Sequence, residues 1–260
     1  MKILLKNRSL LKISGKDAEE FIQNQFTNDI GKLDNKKVQI NAYCQHQGKI
    51  IALFWVIRMD ESFLLSFPID LLERIESRLK MFVIMSDVVI ENVSSLFSQI
   101  GLINESSLNE FRINGNLALL IEDSINHNAE LPQNEIAWNK ACFDSCLPEV
   151  YIKTSEKLVP QMLNLDINEL GVSFSKGCYP GQEVVARLHY LGSAKRRLFS
   201  FKSNQEMLIG DSLYCASSKT ALARGDRYKG SGIVVSKVKY NSLFYCLAKL
   251  DVDLINAAIT

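Results

Sequence analysis

Residues 173–197 read SFSKGCYPGQEVVARLHYLGSAKRR and place one cysteine inside a turn-forming segment. Gly177 and Gly181 flank this cysteine, Cys178, and give the backbone access to conformations that other residues rarely adopt. Pro180 restricts the same segment by fixing its own φ angle. The pattern predicts a tight, well-defined turn around the Cys178 thiol.

The residues after this turn predict a helix that starts at Gln182, with Gly181 near its N-cap. A thiol just before a helix N-terminus and beside a cation such as Lys176 is expected to have a lowered pKa and to be a better nucleophile. Cys178 is therefore a candidate catalytic thiol. The alternative is that Cys178 is a small apolar side chain that fills the turn.

The same stretch is strongly basic, since five cations stand against one acidic residue, Glu183. The cations are Lys176, Arg187, Lys195, Arg196 and Arg197. Such a patch suits an anionic ligand tail, RNA phosphate or an acidic partner. An ordinary solvated face explains it equally well.

The chain as a whole has no comparable excess of positive charge, because its 260 residues include 30 basic and 29 acidic side chains. Hydrophobic residues make up 47%, which is typical of a globular protein. The N-terminus does not resemble a signal peptide, and the apolar runs are too short to span a membrane. The six scattered cysteines favour reduced thiols and a cytoplasmic location over a disulfide framework.

No metal site is predicted, because Cys142 and Cys146, spaced like ligands on one helix face, have no second Cys/His pair to complete a set. Phosphate-binding loops and zinc-hydrolase motifs are also absent from the sequence. Trp138 and Asp144 combine an aromatic ring with a carboxylate, which suits a flat, hydrogen-bonding heterocycle. An ordinary buried tryptophan competes with this interpretation.

Periodicity predicts an α+β protein. Helices are expected over about 15–26, after Pro68 and over 135–146, the first with capping-box spacing from Ser14 to Asp17. Strands are expected over 38–42, 50–57, 63–67, 86–93, 95–103 and 116–123. Residues 125–135 indicate a polar connection. Short strands after residue 197 (RLFSF, SLYCA, SGIVVSKV and LFYCLAKL) suggest a small antiparallel sandwich or barrel.

The string KGCYPGQEVVAR (176–187) resembles the YgfZ family of folate-binding, tRNA-modifying proteins, which is similar to the aminomethyltransferase (T-protein) of the glycine cleavage system. The resemblance extends over most of the chain. It includes ISGKDAEEFIQNQFTNDI (13–30), YCQHQGKI (43–50), VPQMLNLDINELGVSFSKGCYPGQE (159–183) and LGSAKRRL (191–198).

This resemblance implies a three-part, aminomethyltransferase-like α+β fold. Its parts are a discontinuous folate-binding domain (1–49 and 131–195), a ferredoxin-like insert (50–130) and a small C-terminal β-barrel (196–260). It also implies tetrahydrofolate, or a folate derivative, as the cofactor. The implied function is a cytoplasmic accessory role in assembling or repairing iron–sulfur enzymes, including those that thiolate tRNA. The implied partners are those enzymes or their assembly proteins, with weak tRNA contact and no membrane.

The resemblance also assigns individual residues. Trp138 falls on a tryptophan near the folate, and Asp144 falls where relatives commonly carry a pterin-contacting glutamate. The family string itself consists of Lys176, Gly177, Cys178, Tyr179, Gly181, Gln182, Glu183 and Arg187.

Two departures from the related proteins bear on function. Aminomethyltransferases carry an acidic pair after the turn that corresponds to Gln47-Gly48-Lys49, where this chain has Ile-Ile-Ala-Leu. Some YgfZ relatives carry a second folate-side tryptophan before the first helix, where this chain has KNRSLL. The first departure argues against the alternative function, a folate-dependent aminomethyl or methyl transferase. Direct RNA binding through the 187–197 cations is a third interpretation, which the balanced overall charge disfavours.

Overall fold

The computed structural model describes residues 1–124, 131–132, 135–214 and 232–252 and has a mixed α/β architecture. The described strands are β1 (Lys2–Leu4), β2 (Arg8–Ser14), β3 (Gln39–Cys44), β4 (Ile50–Met59), β5 (Ser62–Pro68), β6 (Val89–Asn92), β7 (Phe97–Ile103), β8 (Glu110–Arg112), β9 (Leu117–Asp123), β10 (Arg196–Ser203), β11 (Ser212–Leu213), β12 (Gly232–Tyr240) and β13 (Leu243–Asp251). The described α-helices are α1 (Ala18–Gln25), α2 (Leu72–Lys80), α3 (Ile136–Asp144) and α4 (Gln182–Tyr190).

These strands form three sheets. The first has five strands in the order β3-β4-β5-β2-β6. The second has the order β1-β7-β9-β8, and the third has the order β10-β13-β12-β11. Adjacent strands pair antiparallel in all three, for example β2 with β5 and β12 with β13.

Strand β4 explains how the five-stranded sheet is buried. Leu53, Trp55 and Ile57 lie in one core cluster, together with residues of α3, β9 and β12. Phe54 and Val56 lie in a second cluster, together with α1 and α2. Because both faces are covered, the strand needs apolar residues at every position rather than at every second one.

Most predicted elements are confirmed, with ends that shift by a few residues. The interior strand β2 and the short strands β1 and β8 were missed by the periodicity argument. In β2, Leu10 and Leu11 are both fully buried, so its sequence lacks the alternation of a half-exposed strand. The predicted connection over 125–135 and the predicted strand around Cys215 lie largely outside the described residues.

The predicted capping box of α1 is wrong. The N-cap is Asp17, and no side-chain hydrogen bond caps the helix. The Asp17 carboxylate instead accepts a hydrogen bond from the N–H of Asp87 at 2.8 Å. This bond ties the start of α1 to the segment that precedes β6.

The predicted division of the chain at residues 49 and 50 stays a prediction. Strands β2 and β3, which precede it, share a sheet with β4 and β5, which follow it. Strand β1 similarly pairs with β7. Among the described residues, no helix combines the length and apolar composition needed to cross a bilayer.

Candidate functional site

A cavity of about 290 Å³ lies where the five-stranded sheet, the third sheet and α3 meet. Its walls come from the five-stranded sheet, the start of α3, the segment after α3, and β12. The lining residues are Asn7, Arg8, Trp55, Pro68, Ile69, Asp70, Glu135, Trp138, Asn139, Cys142, Phe143, Glu149, Tyr151, Ser236 and Lys237.

Two tryptophans form the aromatic wall of this cavity. The rings of Trp55 and Trp138 meet edge to face, with centroids 6.1 Å apart and planes at 65°. Trp138 packs directly against Gly101 of β7, where an added Cβ would lie 2.4 Å from a ring carbon. The indole nitrogen of Trp55 is buried and has no hydrogen-bond partner among the described residues. The two rings make this side of the cavity apolar, and the Trp55 donor lies beneath its surface.

A buried ion pair lies beside the tryptophans. Arg8 of β2 donates from Nη1 to Oε1 of Glu149 at 2.9 Å and from Nε to Oγ of Ser66 at 2.8 Å. The guanidinium carbon lies 3.8 Å from the Trp55 ring centroid, which is a cation–π contact. Oε2 of Glu149 is buried and has no partner among the described residues. Burial raises the pKa of Glu149, and Arg8 opposes this rise.

The cavity thiol is poorly suited to nucleophilic chemistry. Burial raises the pKa of Cys142, so this thiol stays protonated at neutral pH. Burial likewise raises the pKa of Tyr151. Within the described ranges, no cluster of three or more His, Cys, Asp or Glu side chains is arranged to hold a metal ion.

Asp144 lies away from the cavity. It ends α3, its side chain is 57% exposed, and it pairs with Lys140 one turn earlier. It is not among the lining residues, whereas Glu149 is. The carboxylates that line the cavity are Asp70, Glu135 and Glu149, and none of them is the residue that the resemblance indicated.

Lys176 is buried and holds the motif loop to the end of α1. Its Nζ donates to the carbonyl oxygens of Gln23, Phe26 and Asn28 at 2.5, 2.6 and 2.9 Å. An ammonium group has three donors, so all of them are used. Burial lowers the pKa of Lys176 to about 8, and the nearby Asp29 carboxylate acts in the opposite direction. Lys176 therefore anchors backbone, and its three donors go to carbonyl oxygens and not to the Cys178 thiol, so its effect on Cys178 stays a prediction.

Gly181 is the N-cap of α4, as predicted, and it has a left-handed φ of 85°. A Cβ here would lie 2.5 Å from the carbonyl oxygen of Gln45 and 2.7 Å from Cα of Gly48. The motif loop thus packs backbone to backbone against the turn before β4. The neighbouring Tyr179 is buried, while Cys178 is exposed.

Two arginines of the predicted anion-binding patch form ion pairs within the protein. Arg196 donates to Asp251 at 2.7 Å, and Arg197 makes two hydrogen bonds to Asp166 at 2.5 and 3.0 Å. Both carboxylates are buried. The exposed cations of the patch are Arg187 and Lys195.

Curated relatives identify the family. No family model matches the chain. An uncharacterized protein of Haemophilus influenzae is 30% identical over 97% of this chain and 89% of its own length. The tRNA-modifying protein YgfZ of Colwellia psychrerythraea is 31% identical over 75% of this chain and 69% of its own. The chain belongs to the YgfZ family. The tRNA-modifying protein YgfZ of Escherichia coli is 25% identical over 89% of this chain and 79% of its own.

The fold of this YgfZ family member is similar to that of a solved aminomethyltransferase. The glycine cleavage system aminomethyltransferase T of Bartonella henselae matches with a TM-score of 0.60 over 97% of this chain and 78% of its own. The two sequences are 12% identical, so the similarity concerns the fold alone.

The structure separates the two groups of residues that the YgfZ resemblance indicated. Trp138 lines the cavity, but none of the residues of the 176–187 string does. Sequence reasoning missed Arg8, Trp55 and Glu149. The hydrogen bond between Arg8 and Glu149 joins residues 141 positions apart, and no local pattern signals such a pair. A glutamate between Leu147 and Val150 in an apolar segment was the one available hint.

Proposed function

We propose that this protein is a folate-binding accessory protein that supports tRNA modification. The observation that carries the proposal is the cavity, whose lining combines two tryptophan rings with polar side chains such as those of Arg8, Glu149 and Lys237. Membership of the YgfZ family supports the link to tRNA modification. We further propose that this support operates in the cytoplasm, through the assembly or repair of iron–sulfur enzymes that thiolate tRNA.

The cavity suits the ring system of tetrahydrofolate or a folate derivative. Ligand sites of this kind are mostly apolar, with a few polar groups that fix orientation. A volume near 290 Å³ suits a bicyclic ring better than a whole folate with its glutamate tail. Trp55 and Trp138 would hold the ring, and the tail would extend out of the cavity.

The three-part arrangement belongs to the same proposal. The presence of three separate sheets supports it, and β10–β13 correspond to the proposed C-terminal barrel. The pairings β2–β5 and β3–β4 join the first two parts through one sheet. The cavity is lined by residues of the first and third sheets and of α3, which would let two of the proposed parts share a ligand.

An accessory role is favoured over aminomethyl transfer. Ile50, Ile51 and Ala52 follow the turn where the related transferases carry their acidic pair, and all three are fully buried in the apolar cores. No carboxylate can act from these positions. The cavity's three carboxylates are already engaged, since Glu149 pairs with Arg8 while Glu135 and Asp70 accept hydrogen bonds from backbone N–H groups.

Cys178 is the residue that we assign to contact with partner enzymes. It is exposed on a loop that Lys176 and Gly181 hold rigidly, so a partner protein can reach its thiol. Arg187 and Lys195, which are also exposed, would supply any weak contact with tRNA phosphate.

Calorimetric titration with tetrahydrofolate under anaerobic conditions tests the ligand. We expect a saturable heat with one site per chain. No heat at millimolar tetrahydrofolate would remove folate binding from the proposal.

Complementation of a deletion strain tests the role of the thiol. We expect Cys178→Ala to lower the level of thiolated tRNA, measured by mass spectrometry of nucleosides. Cys146→Ala is the matched control, because Cys146 is the other exposed thiol of the described residues. Equal tRNA thiolation in both variants would assign Cys178 a structural role.

A further inference from the structure

We propose that a groove between α1 and the segment 81–86 is a docking site for a partner protein that presents a basic segment with apolar side chains. The groove encloses about 310 Å³ and shares no lining residue with the tryptophan-walled cavity. Its lining residues are Asp17, Glu20, Phe21, Asn24, Gln25, Phe82 and Ser86. This inference deepens the proposed function, because the partner would be the enzyme that Cys178 contacts.

The segment on one side of the groove exposes an unusual amount of apolar surface. Residues 81–85 read MFVIM, and among these five described residues only Val83 packs against a core cluster. Ile84 is 73% exposed, and Met85 is fully exposed. Contiguous exposed apolar residues of this kind are typical of interaction surfaces, whereas singly scattered ones are not.

The exposed segment is held on a fixed backbone. Met85 has a left-handed φ of 58°, which residues other than glycine seldom adopt. Two residues later, the N–H of Asp87 donates to the Asp17 carboxylate at 2.8 Å, and the Asp87 carbonyl accepts from the N–H of Asp17 at 3.2 Å. The segment is therefore tied to the start of α1, and a partner would meet a surface that is already ordered, which lowers the cost of binding.

The charged residues of the groove are both acidic. Asp17 and Glu20 line it, and no lysine or arginine does. Glu20 is exposed and forms no ion pair within the described ranges. Cations of the neighbouring segments have other partners, which are Asp87 for Lys16, Glu76 for Lys80 and the Tyr43 ring for Arg78. A basic segment of a partner would find an available countercharge at Glu20.

The acidic lining favours a basic protein segment over other occupants of an apolar surface. A twofold contact with a second copy would bring two sets of Asp17 and Glu20 into one interface, where like charges repel. An anionic membrane surface would be repelled by the same carboxylates. An amphipathic helix with lysine or arginine beside its apolar face matches both the charge and the exposed segment.

The groove and the Cys178 loop are fixed to the same end of α1. Gln25 lines the groove, and Lys176 donates to the carbonyl oxygens of Gln23 and Phe26 at 2.5 and 2.6 Å. Cys178 follows Lys176 closely in the loop and is exposed. A partner that docks in the groove would therefore lie beside the loop that carries the thiol.

Charge reversal tests the groove, with a fluorescently labelled amphipathic helix of leucine and lysine as the probe. We expect saturable binding in fluorescence anisotropy, about tenfold tighter than that of a matched helix of leucine and glutamate. Glu20→Lys should weaken binding of the lysine peptide about three- to tenfold. Glu61→Lys changes the net charge equally at an exposed position outside the groove and should stay within about twofold. Equal effects of the two reversals, or no preference for the lysine peptide, would overturn the proposal.

A glycine substitution separates docking from folding. Met85→Gly suits the left-handed φ, so we expect urea unfolding to show a variant at least as stable as the wild type. Binding of the lysine peptide should nevertheless weaken about fivefold or more, because an apolar anchor is lost. Leu108→Ser removes an exposed apolar side chain outside the groove and should leave binding unchanged. Unchanged binding by Met85→Gly would overturn the proposal.

Sedimentation tests the other occupants. A dimer that Met85→Gly dissociates would assign the surface to a second copy, and cosedimentation with phosphatidylglycerol vesicles would assign it to a membrane. Either result would overturn the proposal.

Failure of the proposed function would be seen separately. Absent tetrahydrofolate binding, or unchanged tRNA thiolation in Cys178→Ala, would count against that function. The peptide measurements would still decide whether the groove binds a basic apolar segment.

Discussion

The motif loop (176–183) and the cavity differ in whether their buried polar groups form hydrogen bonds within the protein. In the loop, Lys176 is buried but uses every donor on the end of α1. In the cavity, Glu149 and Trp55 are buried and each keeps one atom without a partner among the described residues. The satisfied polar groups fix the shape of the loop, whereas the two unpaired atoms lie beneath the cavity surface, each with an accessible area below 1 Å². The most distinctive sequence therefore builds structure around an exposed thiol, and the less distinctive sequence builds the cavity.

The largest effect should come from the loop's backbone contact. Gly181→Ala places a Cβ 2.5 Å from a backbone oxygen at a left-handed φ, so we expect a loss of about 3 kcal/mol in the free energy of unfolding. Urea unfolding measures it. Gly177→Ala is the control, because a Cβ there meets nothing within 4 Å, and it should change stability by less than about 0.5 kcal/mol. Similar losses in both would mean that the loop is not tightly packed.

A substitution at Gly101 tests a close contact of the same kind at the cavity. Gly101→Ala forces the buried Trp138 ring to move, because the new Cβ would lie 2.4 Å from it. Overpacking of this kind costs about 2 kcal/mol, and we also expect weaker tetrahydrofolate binding. Gly115→Ala, in open space, should leave both unchanged. Lost stability with unaltered binding would place the ligand away from Trp138.

Lys176 tests whether satisfied polar groups stabilise the loop. Lys176→Met leaves three carbonyl oxygens without their donor, and we expect it to cost about 1.5 kcal/mol at pH 7. Lys195→Met removes an exposed cation of the same stretch and should have almost no effect. Equal stability of both variants would show that the ammonium group anchors nothing.

A pH dependence tests the same lysine. The folded pKa of Lys176 is about 8, whereas an unfolded lysine titrates near 10.4. Between these values the unfolded chain binds more protons, so the contribution of Lys176 to the free energy of unfolding rises with pH. The stability difference between the wild type and Lys176→Met should therefore grow from pH 8 to pH 10. A shrinking difference would mean that the carbonyl hydrogen bonds outweigh burial and keep the pKa high.

The sequence predicts those strands and helices that a short stretch of residues identifies by itself. Strands β4 and β5 are continuous apolar runs, and the glycine before α4 marks its N-cap. Strand β2 has polar ends and two adjacent buried leucines, so it matches neither the alternating nor the continuous pattern clearly.

The site was harder to predict for a related reason. Trp138 was indicated, but its partners Trp55 and Arg8 come from strands that are far away in the chain. The role of Lys176 depends on carbonyl oxygens about 150 residues earlier, so a loop sequence cannot reveal it. The resemblance led to Asp144 because it compares positions in a chain, while access to the cavity depends on which face of α3 a residue occupies.

The tryptophan wall has one further consequence. The chain contains two tryptophans, and both line the cavity. Their emission therefore reports on the cavity alone, with no other indole contributing a background. Ligands and metal salts that do not themselves emit can be screened against the unlabelled protein, with the response read from these two indoles.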